Sequence, residues 1–242
     1  MGKIYVVGIG PGNIGMMTDQ ARRALDLSDV IVGYKTYTGL VKEYYPEKEY
    51  FENGMSFEAE RCEKCVELAK QNKTVALICS GDAGVYGMAS PLLQIADREG
   101  FDDVEIIPGV TAALSASAYL GAPLADDFCV ISLSDHLTPW ELIERRLKCA
   151  ADADLCMAIY NPASSVRPDH FKKACDLLLT KLAPDTACGL VRNIGRDGCG
   201  KTLCTLAELS GMDVDMSVTV IIGNSKTRIC GGRLITPRGY KL

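Results

Sequence analysis

What this sequence lacks narrows it quickly. No apolar run approaches the ~20 residues of a membrane span, so no membrane-crossing helix is expected. There is no basic excess: 26 lysines and arginines against 31 acids leave a net charge of −5. Nucleic acid, which needs a basic face, is thereby excluded as a partner. An acidic ligand would need arginines gathered locally against the overall sign. The first residues enter a strand with no signal-peptide pattern, which predicts a cytoplasmic protein. Histidine is scarce, with two residues. A second C-x-x-C is missing too: Cys62 and Cys65 stand in "FEAERCEKCVELAKQ" without the second pair of a structural zinc site or a thioredoxin context. They read as packing residues, and no metal site is expected.

Cysteine itself is plentiful, with eleven. An odd count without a secretory signal argues against a disulfide framework. Cys79, Cys129 and Cys156 lie in apolar, strand-like runs and read as small buried hydrophobes. Apolar residues at 48% and charged residues at 24% suit a globular chain with a sizeable core.

The first half alternates strands and helices. "KIYVVGIG", "DVIVGY", "TVALICS" and "VEIIP" read as strands. Helices are expected from about Thr18 as N-cap of "DQARRALDL", through "EAERCEKCVELAKQ", over 89–99, and over "TAALSASAYLG". Such βαβ repetition predicts a mostly parallel sheet covered by helices. Proline, glycine and two aspartates interrupt the pattern in "GAPLADDF", which places a domain boundary there: 1–124 and 125–242. The second half brings strands "FCVISLS", "DLCMAIY", "TACGLV" and "SVTVIIG" and a helix in "RPDHFKKACDLLLTKL". In "TPWE", Thr138 at N-cap, Pro139 at N1 and Glu141 at N3 predict a capping box. No internal repeat or low-complexity tract is present. The fold class expected is α/β.

Residues 8–15, "GIGPGNIG", pose the functional question, because glycines after a strand allow close approach to the backbone. Gly10 to Gly15 fit G-x-G-x-x-G. A dinucleotide fingerprint also needs its third glycine inside the helix and an acid at the end of the second strand. Here Met16 and Met17 separate Gly15 from the helix, and Gly33, Tyr34 and Lys35 stand where the acid belongs. A dinucleotide-binding oxidoreductase is therefore the weaker alternative. Two further loops follow strands: "SGDAGVYG", in which Asp82 suits a ribose, a cation or a plain turn, and "PGVTA", in which Thr111 opens a helix of small residues.

Together, "GIGPG", "SGDAGVYG" and "PGVTA", in this order and spacing, resemble the tetrapyrrole methylase family, and the resemblance runs through essentially the whole chain. It implies two α/β domains with mixed sheets, a homodimer, and S-adenosylmethionine in a cleft between the domains. Within the family, "SDHLTPWELIERRL", "YNPASSVRP", "LVRNIGRDG" and "ITPRGY" resemble enzymes that methylate carbon 17 of precorrin-3B or cobalt-factor III, a step associated with ring contraction in cobalamin synthesis. Methylation at another ring position is the alternative within the family. Carried over residue by residue, cofactor contacts fall on Pro11, Gly81, Asp82, Val85, Tyr86, Thr111 and Ala112. Tyr160, Asn161, Arg192, Asn193 and Thr219 complete the set. Ser80-Gly81-Asp82-Ala83 departs from the glycine-glycine-aspartate-proline of uroporphyrinogen methylases, which speaks against the earliest step of the pathway.

Transfer from a sulfonium needs in-line orientation more than a strong acid or base. Ring contraction and lactone closure do move protons, and His136, in the loop after "FCVISLS", is the candidate acid or base. His170, flanked by lysines in its helix, reads as solvated. The polycarboxylate tetrapyrrole expected as substrate would suit arginines for bidentate contacts. Arg167, Arg192, Arg196 and Arg238 lie in loops or element ends; Arg145 and Arg146 sit on a helix, where exposure is the ordinary state.

Overall fold

Near-continuous apolar runs such as "KIYVVG" form strands buried on both faces, as parallel sheets require. In the computed structural model, which describes residues 2–241, the chain divides into two compact units, one through Ala112 and one from Ala113. The first contains strands Lys3–Gly8 (β1), Val30–Tyr34 (β2), Glu49–Asn53 (β3), Thr74–Cys79 (β4) and Val104–Ile107 (β5). Its helices are Asp19–Leu27 (α1), the single turn Lys35–Thr38 (α2), Glu58–Lys70 (α3) and Ala89–Arg98 (α4). The five strands run parallel in the order β3-β2-β4-β1-β5. Ala21, Ala24 and Leu25 of α1 pack with Val7, Ile31 and Ile78 on one face. On the other, Cys62, Cys65 and Val66 of α3 and Leu92 of α4 meet Val6, Val32 and Leu77.

The second unit takes up helix Ala112–Leu120 (α5), which starts at the division, then strand Gly121–Ala122 (β6). It continues with Phe128–Ser132 (β7), Trp140–Asp152 (α6), Cys156–Tyr160 (β8), His170–Leu178 (α7) and Ala187–Arg192 (β9). Gly200–Thr205 (β10), Leu206–Leu209 (α8), Val218–Ile222 (β11), Arg228–Cys230 (β12) and Arg233–Ile235 (β13) follow. The larger sheet has the order β10-β9-β11-β8-β7, and β12-β13-β6 form a smaller one. In the larger sheet β7 and β8 are parallel, while β11 runs against both β8 and β9. It is a mixed sheet. Helices α6 and α7 cover one face through Ile143, Leu147, Phe171 and Leu178. Gly189 leaves room on a strand for Leu120: a Cβ there would lie 2.7 Å from that side chain.

Thr18 caps α1, its side chain accepting from the Ala21 N–H. The capping box expected at Thr138 is absent. Helix α6 begins at Trp140, and Pro139, with ψ at 141°, stands outside it as an N-cap that no side chain completes. A capping box does form at the start of α8, between Thr205 and Glu208, where a single turn is too short to show periodicity in the sequence. Strands β3 and β10 also escape the sequence reading; both are sheet edges with largely polar residues, where no apolar run is needed. The break at "GAPLADDF" falls within the second unit, where β6 pairs with β13.

Surface pairs add a modest acid dependence to stability. Hydrogen bonds from Lys42, Lys70, Lys226 and Lys172 hold Glu52, Glu99, Asp126 and Asp176 below their usual ranges. A depressed folded-state pKa stabilises above the unfolded value, and that contribution is lost as pH falls through the folded one. Resistance to urea should hold from neutrality to about pH 5 and decline below about pH 4. A rise in stability on acidification would contradict this.

Candidate functional site

The three glycine loops meet at the carboxyl ends of β1, β4 and β5. Gly10 and Gly81 exchange main-chain hydrogen bonds, N–H to carbonyl, at 3.0 and 2.8 Å. Both have φ of +73°, a conformation glycine adopts without steric cost. A Cβ on Gly8 would lie 2.7 Å from the Gly109 nitrogen and 2.8 Å from the Gly81 oxygen. So these glycines serve contact of main chain with main chain. Gly15, last in the apparent fingerprint, sits in an exposed 3-10 turn and donates its N–H to Asn13.

Asp82 joins two of the loops. One carboxylate oxygen accepts from the Gly84 and Val85 amides at 2.8 and 3.1 Å, and the other from Gly109 at 2.9 Å. The turn reading of Asp82 thus describes its own bonds, and any ligand would meet a loop that Asp82 has shaped. A Cβ on Gly81 would lie 3.6 Å from Thr111 Cα and 3.7 Å from the Ala112 nitrogen. Buried Pro11 follows the bridged Gly10, and Val85 and Tyr86 follow Asp82. Tyr86 is 58% exposed at φ 53°; a bulky residue held there costs of order 1–3 kcal/mol, a strain typical of ligand-facing segments. After β1 the chain enters α1 on one face of the sheet, and after the neighbouring β4 it enters α4 on the other. Adjacent strands whose connections diverge mark the crevice where open α/β sheets bind ligands.

In the second unit the pairings give β7, β8 and β9 one direction, so their carboxyl ends share an edge with the start of β11. Tyr160, Asn161, Arg192, Asn193 and Thr219 all fall on it, with the His136 loop. Asn161 and Asn193 take φ of 52° and 51°, as asparagine tolerates. The Tyr160 hydroxyl accepts from the Ala113 N–H at 2.6 Å and holds the start of α5. Thr219 is buried within β11. Arg192 is engaged by Asp215 and by the Asp213 carbonyl.

Arg167 is not a free surface arginine. It is buried, and its Nη1 donates to the carbonyls of Leu133 and Asn161 at 3.1 and 3.2 Å. His170 is not solvated either: its side chain is 14% exposed, Nε2 lies 2.9 Å from Asp135 Oδ2, and the ring meets Trp140 edge-on at 4.6 Å. As the first residue of α7 it turns toward the β7 loop despite its lysine neighbours. That hydrogen bond holds the Asp135 carboxyl below its usual range. His136 is exposed, as are Arg145, Arg146 and Arg238. Cys62 and Cys65 are buried in the core, where burial pushes the Cys62 thiol up to about 12. Cys79 and Cys156 are buried and Cys129 is half-buried. Among the described residues no helix is long and apolar enough to cross a membrane.

Residues 3–210 match the family model of Tetrapyrrole (Corrin/Porphyrin) Methylases. The chain belongs to this family. This methylase is 47% identical to the probable cobalt-factor III C(17)-methyltransferase of Salmonella typhimurium strain LT2, over 99% of the chain and 100% of that protein. It is 42% identical, over 99% of its length, to the cobalt-factor III methyltransferase of Priestia megaterium, of which it spans 45%. The crystal structure of the methyltransferase CobJ superposes with a TM-score of 0.90 at 34% identity, covering 98% of this methylase and 100% of that chain. The sequence alone assigns no role to Asp135, leaves His170 reading as solvated, and does not bring Gly8 against Gly109.

Proposed function

We propose that this methylase transfers the methyl group of S-adenosylmethionine to carbon 17 of cobalt-factor III in cobalamin biosynthesis. The observation that carries this is full-length likeness to a protein of that name, joined to loops at the crevice of the parallel sheet. When bound, the cofactor supplies a methyl that is already electrophilic. The chain's part is to orient. Loops rich in glycine, with main-chain groups fixed by the Gly10–Gly81 bridge and by Asp82, suit that task. Pro11, Gly81, Asp82, Val85, Tyr86, Thr111 and Ala112 would hold the cofactor in the first unit. The family resemblance adds Tyr160, Asn161, Arg192, Asn193 and Thr219 to the proposed set. His136, exposed on its loop, would handle a proton in lactone closure. In this reading the enzyme is a cytoplasmic homodimer that acts on a polycarboxylate tetrapyrrole.

The test is anaerobic incubation with cobalt-factor III and S-adenosylmethionine, followed by mass spectrometry. One added methyl on a lactone-bearing, ring-contracted product is expected. No mass change, with S-adenosylhomocysteine still bound, would overturn the substrate. Asp82→Ala, which strips three amides of their acceptor, should weaken S-adenosylhomocysteine by about 2 kcal/mol, or ~30-fold. Unchanged affinity by calorimetry would remove this loop from the cofactor site.

A further inference from the structure

The loop that carries His136 is anchored on both sides of it. Leu133 donates its N–H to the Tyr160 carbonyl at 2.9 Å and accepts from Arg167, and the Ser134 N–H reaches Ser132 Oγ at 3.2 Å. Pro139 closes the loop against α6. Between these anchors, His136 is exposed and Leu137 is 90% exposed. The residue before them, Asp135, is held from two directions: Oδ2 meets His170 Nε2 at 2.9 Å and Oδ1 lies 3.9 Å from Arg167 Nε. His170 is fixed in turn against Trp140, whose indole N–H donates to Glu144 at 2.8 Å.

Stability alone is a poor account of this arrangement. The Asp135 side chain is 37% exposed, and ion pairs that reach solvent contribute little to folding. For packing against Trp140, an aliphatic side chain would serve as well as an imidazole. What the imidazole adds is direction, because a hydrogen bond to one carboxylate oxygen fixes the Asp135 side chain and with it the backbone from which His136 projects. The chain's two histidines thus converge on one loop, one presented to solvent and one held behind it.

We propose that His170 is a positioning residue that acts through Asp135 to hold the loop presenting His136. This rests on the methyltransferase reading and deepens it. His170→Ala should lower kcat for cobalt-factor III roughly 10- to 100-fold, as displacement of a reacting group does, and leave KM for S-adenosylmethionine within about twofold. His170→Gln, which keeps a nitrogen donor for Asp135, should recover most of the rate. His136→Ala should match the loss, and the double variant should be no slower than His136→Ala alone. Additive losses would show that His170 acts by itself, and an unchanged kcat in His170→Ala would remove the role; either result overturns the proposal.

Hydrogen exchange separates this from the functional reading. Amides of residues 134–137 should exchange faster in His170→Ala, while those of β8 and α6 stay protected. If the wild type does not turn over cobalt-factor III but that local exchange still rises, the functional reading falls and the positioning role stands. If the wild type is active and the loop exchanges no faster in the variant, the positioning role falls alone.

Discussion

Gly109→Ala is expected to cost about 3 kcal/mol, at the upper end of overpacking penalties, and to abolish measurable binding of S-adenosylhomocysteine. The new methyl would sit inside the contact distance of the Gly81 carbonyl oxygen and 2.5 Å from that of Gly8. Both neighbours are main chain, and neither has room to retreat. Gly81 is tied to Gly10 by two hydrogen bonds, and Gly8 closes β1, paired with Cys79 in the central strand β4. Relief must come from moving the 109–111 segment outward, which pulls the Gly109 amide off Asp82 and opens the meeting of all three loops. In a unit of this size such a loss lowers the first thermal transition by about 10 °C. Gly100→Ala makes the control, since a Cβ there meets nothing within 4 Å. Its φ of 63° leaves backbone strain only, about 1 kcal/mol. If Gly109→Ala melts and binds like Gly100→Ala, main-chain contact is not what these glycines are for.

Only part of this junction is legible in the sequence. "GIGPG", "SGDAGVYG" and "PGVTA" are visible as loops after strands, and the βαβ rule puts them at one edge of a parallel sheet. The glycine pattern does not reveal that they touch each other, because Gly8, Gly81 and Gly109 come together only when β1, β4 and β5 are side by side. Thr18 is legible as a cap because its bond to Ala21 is local. His170 is not: its partner Asp135 lies 35 residues away, and the lysines beside it in sequence point its helix toward water. The edge strands β3 and β10 are hidden for a related reason, since a short edge strand with only one or two core-facing apolar residues shows no apolar run. What the sequence displays is periodicity and local hydrogen bonding. What it hides is contact between elements.

Arg167 carries the second large effect. Replacing it with methionine keeps most of the volume but removes the donor shared by the Leu133 and Asn161 carbonyls. Hydrogen bonds from a charged group contribute about 1.5–3 kcal/mol each, so a loss of about 3 kcal/mol is expected for the second unit. The functional loss should be larger than stability alone explains. Leu133 begins the loop of His136, and Asn161 is held at positive φ by the Arg167 bond and by its own amide on Ser132 at 2.9 Å. Without the guanidinium, Asn161 is free to relax to ordinary backbone angles, and both loops lose their common post. We expect kcat to fall at least ~100-fold. Arg167→Lys should recover little, since an ammonium is a point charge without the planar fork that reaches two carbonyls and lies beside Asp135. Calorimetry on both variants, with kcat measured well below their melting temperatures, decides the matter. A lysine variant with full rate would mean that charge alone is required there, and that the fork geometry around Arg167 plays no part in arranging the site.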